Sequence, residues 1–219
     1  MSQPANQSMS QPRSRSRASS GPRRALVTGA STGIGEATVR LLRSHRWDVI
    51  ATARRVERLR ALAADTGCAW IAADLQRADD VEALAAEALG AGGVDAVVNN
   101  AGGALGADPV ADGSPQEGLT MYERNVLAAL RVTQALLPGM RERGGDVVFL
   151  TSTAAHDTYP GGAGYVAAKH GERIIANTLR LELVGEPVRI IEIAPGMVAT
   201  SEFSLNRFHG DRSRADAVY

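Results

Sequence analysis

The chain has 219 residues, with 24 Lys and Arg against 24 Asp and Glu, and one cysteine, Cys68. That length suits a single α/β domain, and one cysteine excludes an internal disulfide framework and a Cys-based zinc cluster. Five bases (Arg13, Arg15, Arg17, Arg23, Arg24) precede the first acid, Glu36, so the body is mildly acidic, which argues against a nucleic-acid binder.

Residues 1–22 are mostly Ser, Gln, Pro and Arg, with almost nothing to bury. Such a segment cannot offset the entropy of ordering, so it reads as a disordered basic tail. An Arg- and Ser-rich, acid-free start also matches a mitochondrial transit peptide. A tail that touches nucleic acid, or an over-extended start with Met9 as initiator, are the remaining readings. The opening has no apolar stretch of a secretory signal. No apolar run reaches the roughly 18 residues of a membrane helix. The expectation is a cytoplasmic protein with neither membrane nor nucleic-acid partners.

From residue 23 onward, short apolar runs alternate with helical patterns. The runs Arg24–Thr28, Asp48–Thr52, Ala69–Ala72, Val94–Val98, Asp146–Leu150 and Val188–Ile193 predict six strands. Helices are predicted over Glu36–His45, Glu57–Asp65, Asp79–Leu89, about Tyr122–Arg143 and Tyr165–Val184. Pro138 lies where it would kink or shorten the fourth helix. This alternation predicts right-handed βαβ crossovers and a doubly wound parallel sheet of Rossmann type, over residues 23–219. Ligands of such sheets bind beyond the carboxyl ends of the strands.

The chemistry-bearing residues follow the strands. Thr28-Gly29-Ala30-Ser31-Thr32-Gly33-Ile34-Gly35 links strand one to helix one. Its glycines allow a tight turn and close approach to a pyrophosphate, and the helix start offers amides to phosphate. At the end of strand two stand Arg54 and Arg55, where an acid would hold the ribose hydroxyls of NAD. Two arginines suit a 2′-phosphate, hence NADP over NAD. Asp74-Leu75 follows strand three, where Asp74 would either bond an adenine amino group or cap the next helix. Asn99-Asn100-Ala101-Gly102 follows strand four and would border the cofactor.

Of the 24 bases, 23 are Arg; the single Lys is Lys169. It stands four residues after Tyr165, so the two share a helix face. A phenol with pKa about 10 is a poor base at neutral pH, and a nearby ammonium favours the phenolate. Lys169 would also bond the nicotinamide ribose. Ser152, after strand five, would hold the substrate oxygen beside the phenol. Asn125 would hold a water that passes protons to the Lys.

In this order, these motifs resemble the short-chain dehydrogenase/reductase family from about residue 24 to 219. TGASTGIG resembles its cofactor loop and NNAG its strand-four motif. Asn125, Ser152, Tyr165 and Lys169 match its catalytic tetrad. Pro195-Gly196 with Thr200 or Ser201 resembles the segment cradling the nicotinamide amide. A closer likeness, carried by residues 49–59, 99–106, 136–140 and 196–211, is to the NADP-dependent 3-hydroxy acid (serine and allo-threonine) dehydrogenases. The resemblance implies hydride exchange between NADP(H) and a small 3-hydroxy acid, with Arg207 as candidate for the substrate carboxylate. It also implies a homodimer or homotetramer paired through the two long helices. Reduction of uncharged carbonyls or carrier-bound acyl groups, non-catalytic dinucleotide binding, and an inactive fragment are the alternatives. Two departures stand out. His156-Asp157 replaces small or apolar residues near Ser152, which leaves substrate choice open. Family members also continue past the position of Tyr219 with a helix, a seventh strand and a C-terminal segment, so a truncated sheet is expected.

Overall fold

The computed structural model describes residues 21–200 and 202–218. All but the last two residues of the expected tail, 1–22, and Ser201 beside Pro195-Gly196, fall outside the described residues. Six strands form one parallel sheet: β1 (Arg24–Thr28), β2 (Asp48–Ala53), β3 (Ala69–Ala72), β4 (Ala96–Asn99), β5 (Gly145–Leu150) and β6 (Val188–Ile193). Their order is β3-β2-β1-β4-β5-β6. The chain winds outward from β1 to β3, then returns to β4 on the other side. Loops leaving β1 and β4 therefore part in opposite directions and open a crevice at the carboxyl ends. Among the described residues, β6 is paired on one side only, by β5.

Both faces of the sheet are covered, which is why the strands read as near-continuous apolar runs. Leu26, Val97 and Val147 lie in register on one face. They pack with Leu84 of α3 (Ala78–Gly90), Val132 and Leu136 of α5 (Ala128–Arg143), and Ala176 of α6 (Ala163–Glu182). On the opposite face Val27, Val49 and Ala51 meet Val39 of α1 (Gly33–Ser44) and Leu59 and Leu62 of α2 (Val56–Thr66). At the β5–β6 rim, Asp146 accepts two bonds from Arg189, at 2.6 and 2.9 Å, and one from Arg23 at 3.0 Å.

The helix expected to begin near Tyr122 begins earlier. Ser114 accepts from the Glu117 amide at 3.3 Å, and Pro115 opens the first turn of α4 (Pro115–Tyr122), a favoured N-terminal arrangement. The backbone then runs without a break through a π-helical turn, Glu123–Leu127, into α5. Pro138 does not shorten α5, which ends at Gly144 with φ +80°. Strand β4 starts at Ala96 rather than Val94, because Asp95 turns its side chain onto the Arg24 amide at 2.7 Å. Two five-residue helices, α7 (Phe203–Arg207) and α8 (Arg212–Asp216), follow β6 and were not expected from the sequence.

Leu136 is 1% exposed in the larger core. Leu136→Ala should cost about 2–5 kcal/mol. A denaturation midpoint that falls with an unchanged slope would show it.

Candidate active site

The crevice is held at its base by one hydroxyl. Thr28 Oγ1 donates to the Val98 carbonyl at 3.1 Å and accepts from the amides of Asn100 and Ala101, both at 2.9 Å. Asn100 returns the link: its Nδ2 donates to the carbonyls of Thr28 (2.8 Å) and Gly29 (3.3 Å). The glycine turn and the Asn-Ala-Gly loop are thereby packed face to face. A Cβ on Gly29, which has φ +64°, would sit 2.8 Å from Asn100 Nδ2. A Cβ on Gly35 would strike the same amide and the Gly29 carbonyl. Thr32, at the N-cap of α1, makes no side-chain bond to that helix's amides. This combination leaves a close, amide-lined hollow suited to phosphate.

Above it lies a cleft of about 850 Å³, toward the upper end of the range for small-molecule sites. At one end it is lined by Gly29, Ser31, Thr32, Gly33, Ile34, Arg54, Arg55, Asp74 and Leu75. Asn100, Ala101, Gly102, Pro195, Gly196 and Thr200 border its middle. Gly35 does not line the cleft; it packs beneath, against Asn100. Arg55 donates to Ser31 Oγ at 3.0 Å and pairs with Glu202 at 2.7 Å, while Arg58 reaches the same carboxylate at 3.4 Å. Asp74 caps no helix: it accepts from the Gln76 amide at 3.1 Å, and Arg77 holds the N-cap of α3. Arg124, from the π turn, also lines this end and was missed by sequence reasoning. Burial, then the charge of Arg54, lowers its pKa, and Asp74 opposes them.

At the other end Ser152, Tyr165 and Lys169 converge. Ser152 begins a 3₁₀ turn, accepting from the Ala154 amide at 3.1 Å, and its hydroxyl acts to lower the pKa of Tyr165. Lys169 Nζ lies 6.0 Å from the centre of the Tyr165 ring and donates to the Leu150 carbonyl at 2.9 Å. Phe203 of α7 closes on Tyr165 edge-on, with ring centres 5.8 Å apart. The phenol differs from the sequence expectation in one respect. Lys169 and Ser152 do pull its pKa down, but burial outweighs both and holds it above its ordinary 10.

Sequence reasoning also missed Glu172, one turn past Lys169 on α6. Its Oε2 accepts from Lys169 Nζ at 2.7 Å, with the two side chains only 1% and 5% exposed. Burial, opposed by Lys169, pushes the Glu172 carboxyl up from 4.5 to about 6. The i,i+3 spacing from the single Lys was the available signal.

Asn125 sits behind the cleft wall and is fully buried. Its side chain accepts from the Gly103 amide at 3.1 Å and donates to the carbonyls of Gly103 (2.9 Å) and Met121 (2.7 Å). Both amide protons are thus spent on backbone, and the side chain braces the Gly102–Gly103 loop. Arg207 lines the substrate end, donating to the carbonyls of Gly106 (3.0 Å) and Gly161 (3.4 Å) and facing the Tyr159 ring at 5.6 Å. His156 turns to Glu192 of β6 at 3.2 Å and does not line the cleft.

The family model for short chain dehydrogenases matches residues 23–208. An uncharacterised oxidoreductase of Mycobacterium tuberculosis is 54% identical over 196 residues, spanning 89% of this chain and 76% of that protein. An NADP-dependent 3-hydroxy acid dehydrogenase of Salmonella typhi is 40% identical over 198 residues, spanning 89% and 80%. A solved structure of serine dehydrogenase in its closed form with NADP+ superposes with a TM-score of 0.85 at 38% identity. That likeness covers 90% of this chain and 81% of the other.

The raised carboxyl of Glu172 fixes a sign for stability. The folded chain holds this proton between pH 4.5 and about 6, where the unfolded chain has lost it. The contribution of Glu172 to stability is therefore greatest below 4.5 and falls as pH rises through about 6. Glu172→Gln does not titrate, so melting temperatures followed against pH should move in favour of the variant across that window, by about 2 kcal/mol in total.

Proposed function

Because the chain belongs to the short chain dehydrogenase family, we propose that it is an NADP-dependent oxidoreductase acting on a small 3-hydroxy acid or its oxo counterpart. The observation that carries this reading is the convergence of Ser152, Tyr165 and Lys169 at one end of a cleft whose other end has the glycine turn, Arg54 and Arg55. NADP, when bound, supplies the site that accepts or delivers hydride.

The residues fit that cofactor. Gly29 and Gly33, both with positive φ, leave a hollow that side chains would fill, and the start of α1 presents amides to a pyrophosphate. Arg54, Arg55 and Arg124 bring three guanidinium groups to the adenosine end, where no acid stands at the end of β2. Guanidinium suits a phosphate monoester better than a ribose hydroxyl. Asp74 and Leu75 flank the adenine position. Pro195, Gly196 and Thr200 border the nicotinamide position.

In this mechanism Tyr165 exchanges a proton with the substrate oxygen, and Ser152 Oγ donates to that oxygen as its charge develops. Lys169 stabilises the phenolate and bonds the nicotinamide ribose. Asn125 acts by bracing Gly102–Gly103, which form one wall of the cleft. Serine, the substrate in the name of the superposed relative, carries its hydroxyl on the third carbon of an acid. That chemistry calls for a cation at the far end, and Arg207 lines the cleft there. The reading includes a cytoplasmic homodimer or homotetramer, supported by the exposed Leu119 and Tyr122 of α4 and Ile174 of α6.

Tyr165→Phe should lower turnover by at least about 10²-fold while NADPH binding, followed by its fluorescence, persists. Retained turnover would sink the mechanism. Arg207→Ala should raise KM for 3-hydroxy acids by about tenfold or more, the worth of one charge-assisted bond, and leave uncharged alcohols little changed. An equal change for both substrate classes would reduce Arg207 to a tie between the Gly106 and Gly161 loops.

A further inference from the structure

Glu172 has no place in the mechanism above, yet it is among the most deeply buried side chains of the fold. Its Oε2 touches Lys169, and its Oε1 has no hydrogen-bond partner. Burying a carboxylate with one oxygen unsatisfied is unfavourable. Lys169 does not need it for placement alone, since the Leu150 carbonyl already anchors Nζ.

The surrounding charges come from three elements. On α6 itself are Lys169 and, two turns before Glu172, Tyr165; both interact electrostatically with the carboxylate. From β6 comes Glu192, whose Oε1 is met by His156 at 3.2 Å and Arg173 at 3.8 Å. From β5 comes the Leu150 carbonyl, which accepts from Lys169. The π turn and the end of α4 bring Val126 and the Tyr122 ring against neighbouring Gly171.

We infer that Glu172 is a positioning residue that shifts the pH range in which Tyr165 works. Its carboxylate offsets part of the Lys169 charge that favours the phenolate, adding to the effect of burial, so oxidation of the alcohol moves to higher pH and reduction is favoured through neutral pH. This rests on the oxidoreductase reading above. Reduction consumes the protonated phenol: the proton leaves Tyr165 Oη for the substrate oxygen while hydride reaches the carbon. Oxidation runs the same transfer backwards and needs the phenolate. The cation that favours the phenolate is Lys169, and Glu172 stands 2.7 Å from it. The direction is consistent: burial raises the phenol most, Lys169 and Ser152 lower it, and Tyr159, then Glu172, raise it again. Above about pH 6 Glu172 is a carboxylate, so the effect operates at neutral pH.

Two variants of the full chain test this. Glu172→Gln keeps the shape and an acceptor for Lys169 but removes the charge; Glu172→Asp restores the charge. In Glu172→Gln the pH profile for alcohol oxidation should move to lower pH. Its rate at pH 7 should rise about tenfold for each unit of that move, and the alkaline limb of the reduction profile should move down with it. Glu172→Asp should keep the wild-type limbs. Phenolate absorbance of Tyr165, obtained by difference against Tyr165→Phe without cofactor or substrate, should shift the same way. Profiles and phenolate titration that superimpose on wild type would overturn the inference. A shifted titration with no NADP(H)-dependent turnover on any hydroxy acid would instead sink the functional reading and leave the control of Tyr165 standing. Should Glu172→Gln fail to fold, the wild-type chain decides through the carboxyl carbon resonance of Glu172. Ionisation at pH 7 supports the inference, and a protonated carboxyl there refutes it.

Discussion

The arrangement at the carboxyl edge of the sheet depends on how β1 and β4 are joined where their loops diverge. Thr28 Oγ1, almost fully buried, uses its whole capacity there, one bond donated and two accepted. Asn100 supplies the return bonds to the Thr28 and Gly29 carbonyls. The two loops support each other, because each buries backbone groups that the other helps to satisfy. The small size of Gly29 and Gly35 follows from this contact. The wall at Gly102–Gly103 follows one step further out, where Asn125 takes over as brace.

At the other end of the cleft, the controlling factor is dehydration against charge. Tyr165, Lys169 and Glu172 all lie on one helix, and all are buried. Taking the phenol out of water favours its neutral form, and one ammonium does not reverse that. The same dehydration that lifts the phenol lifts the Glu172 carboxyl. Lys169 is therefore shared between two groups that both want its charge. Arginine, planar and longer, would not present one compact charge to the Leu150 carbonyl and the Glu172 carboxylate together. That matches its standing as the single lysine among 24 bases.

The strands and their order were legible because a parallel sheet covered on both faces writes itself as short apolar runs. The glycine turn was legible because it joins a strand to a helix. Tyr165 and Lys169 were legible because both lie on one helix at a fixed spacing. What escaped depends on distant contacts. Glu172 looks, at three residues from Lys169, like any surface ion pair; its burial against β5 and β6 is not a local property. Arg124 and Glu202 reach the cleft from segments remote in sequence, and the bracing role of Asn125 depends on where Gly103 folds. The early start of α4 was within reach, since Ser114-Pro115-Gln116-Glu117 carries a capping pattern, but Gly118 masks the period that follows.

The π turn at Glu123–Leu127 has a consequence for the length of the chain there. A plain α-helix advances by about 100° per residue, and a single i→i+5 turn adds one residue without adding a turn. The faces of α4 and α5 are thereby set out of phase, so α4 can lie against α6 while α5 lies against α3. Asn125 and Val126 are buried at the junction, beside Met121. Removing one residue from this stretch would restore an uninterrupted α-helix and swing Met121 out of its packing with Tyr165 and Val166 while leaving the composition almost untouched. The segment is therefore constrained in residue count more tightly than in residue type, and insertions and deletions, rather than substitutions, are the changes it tolerates least.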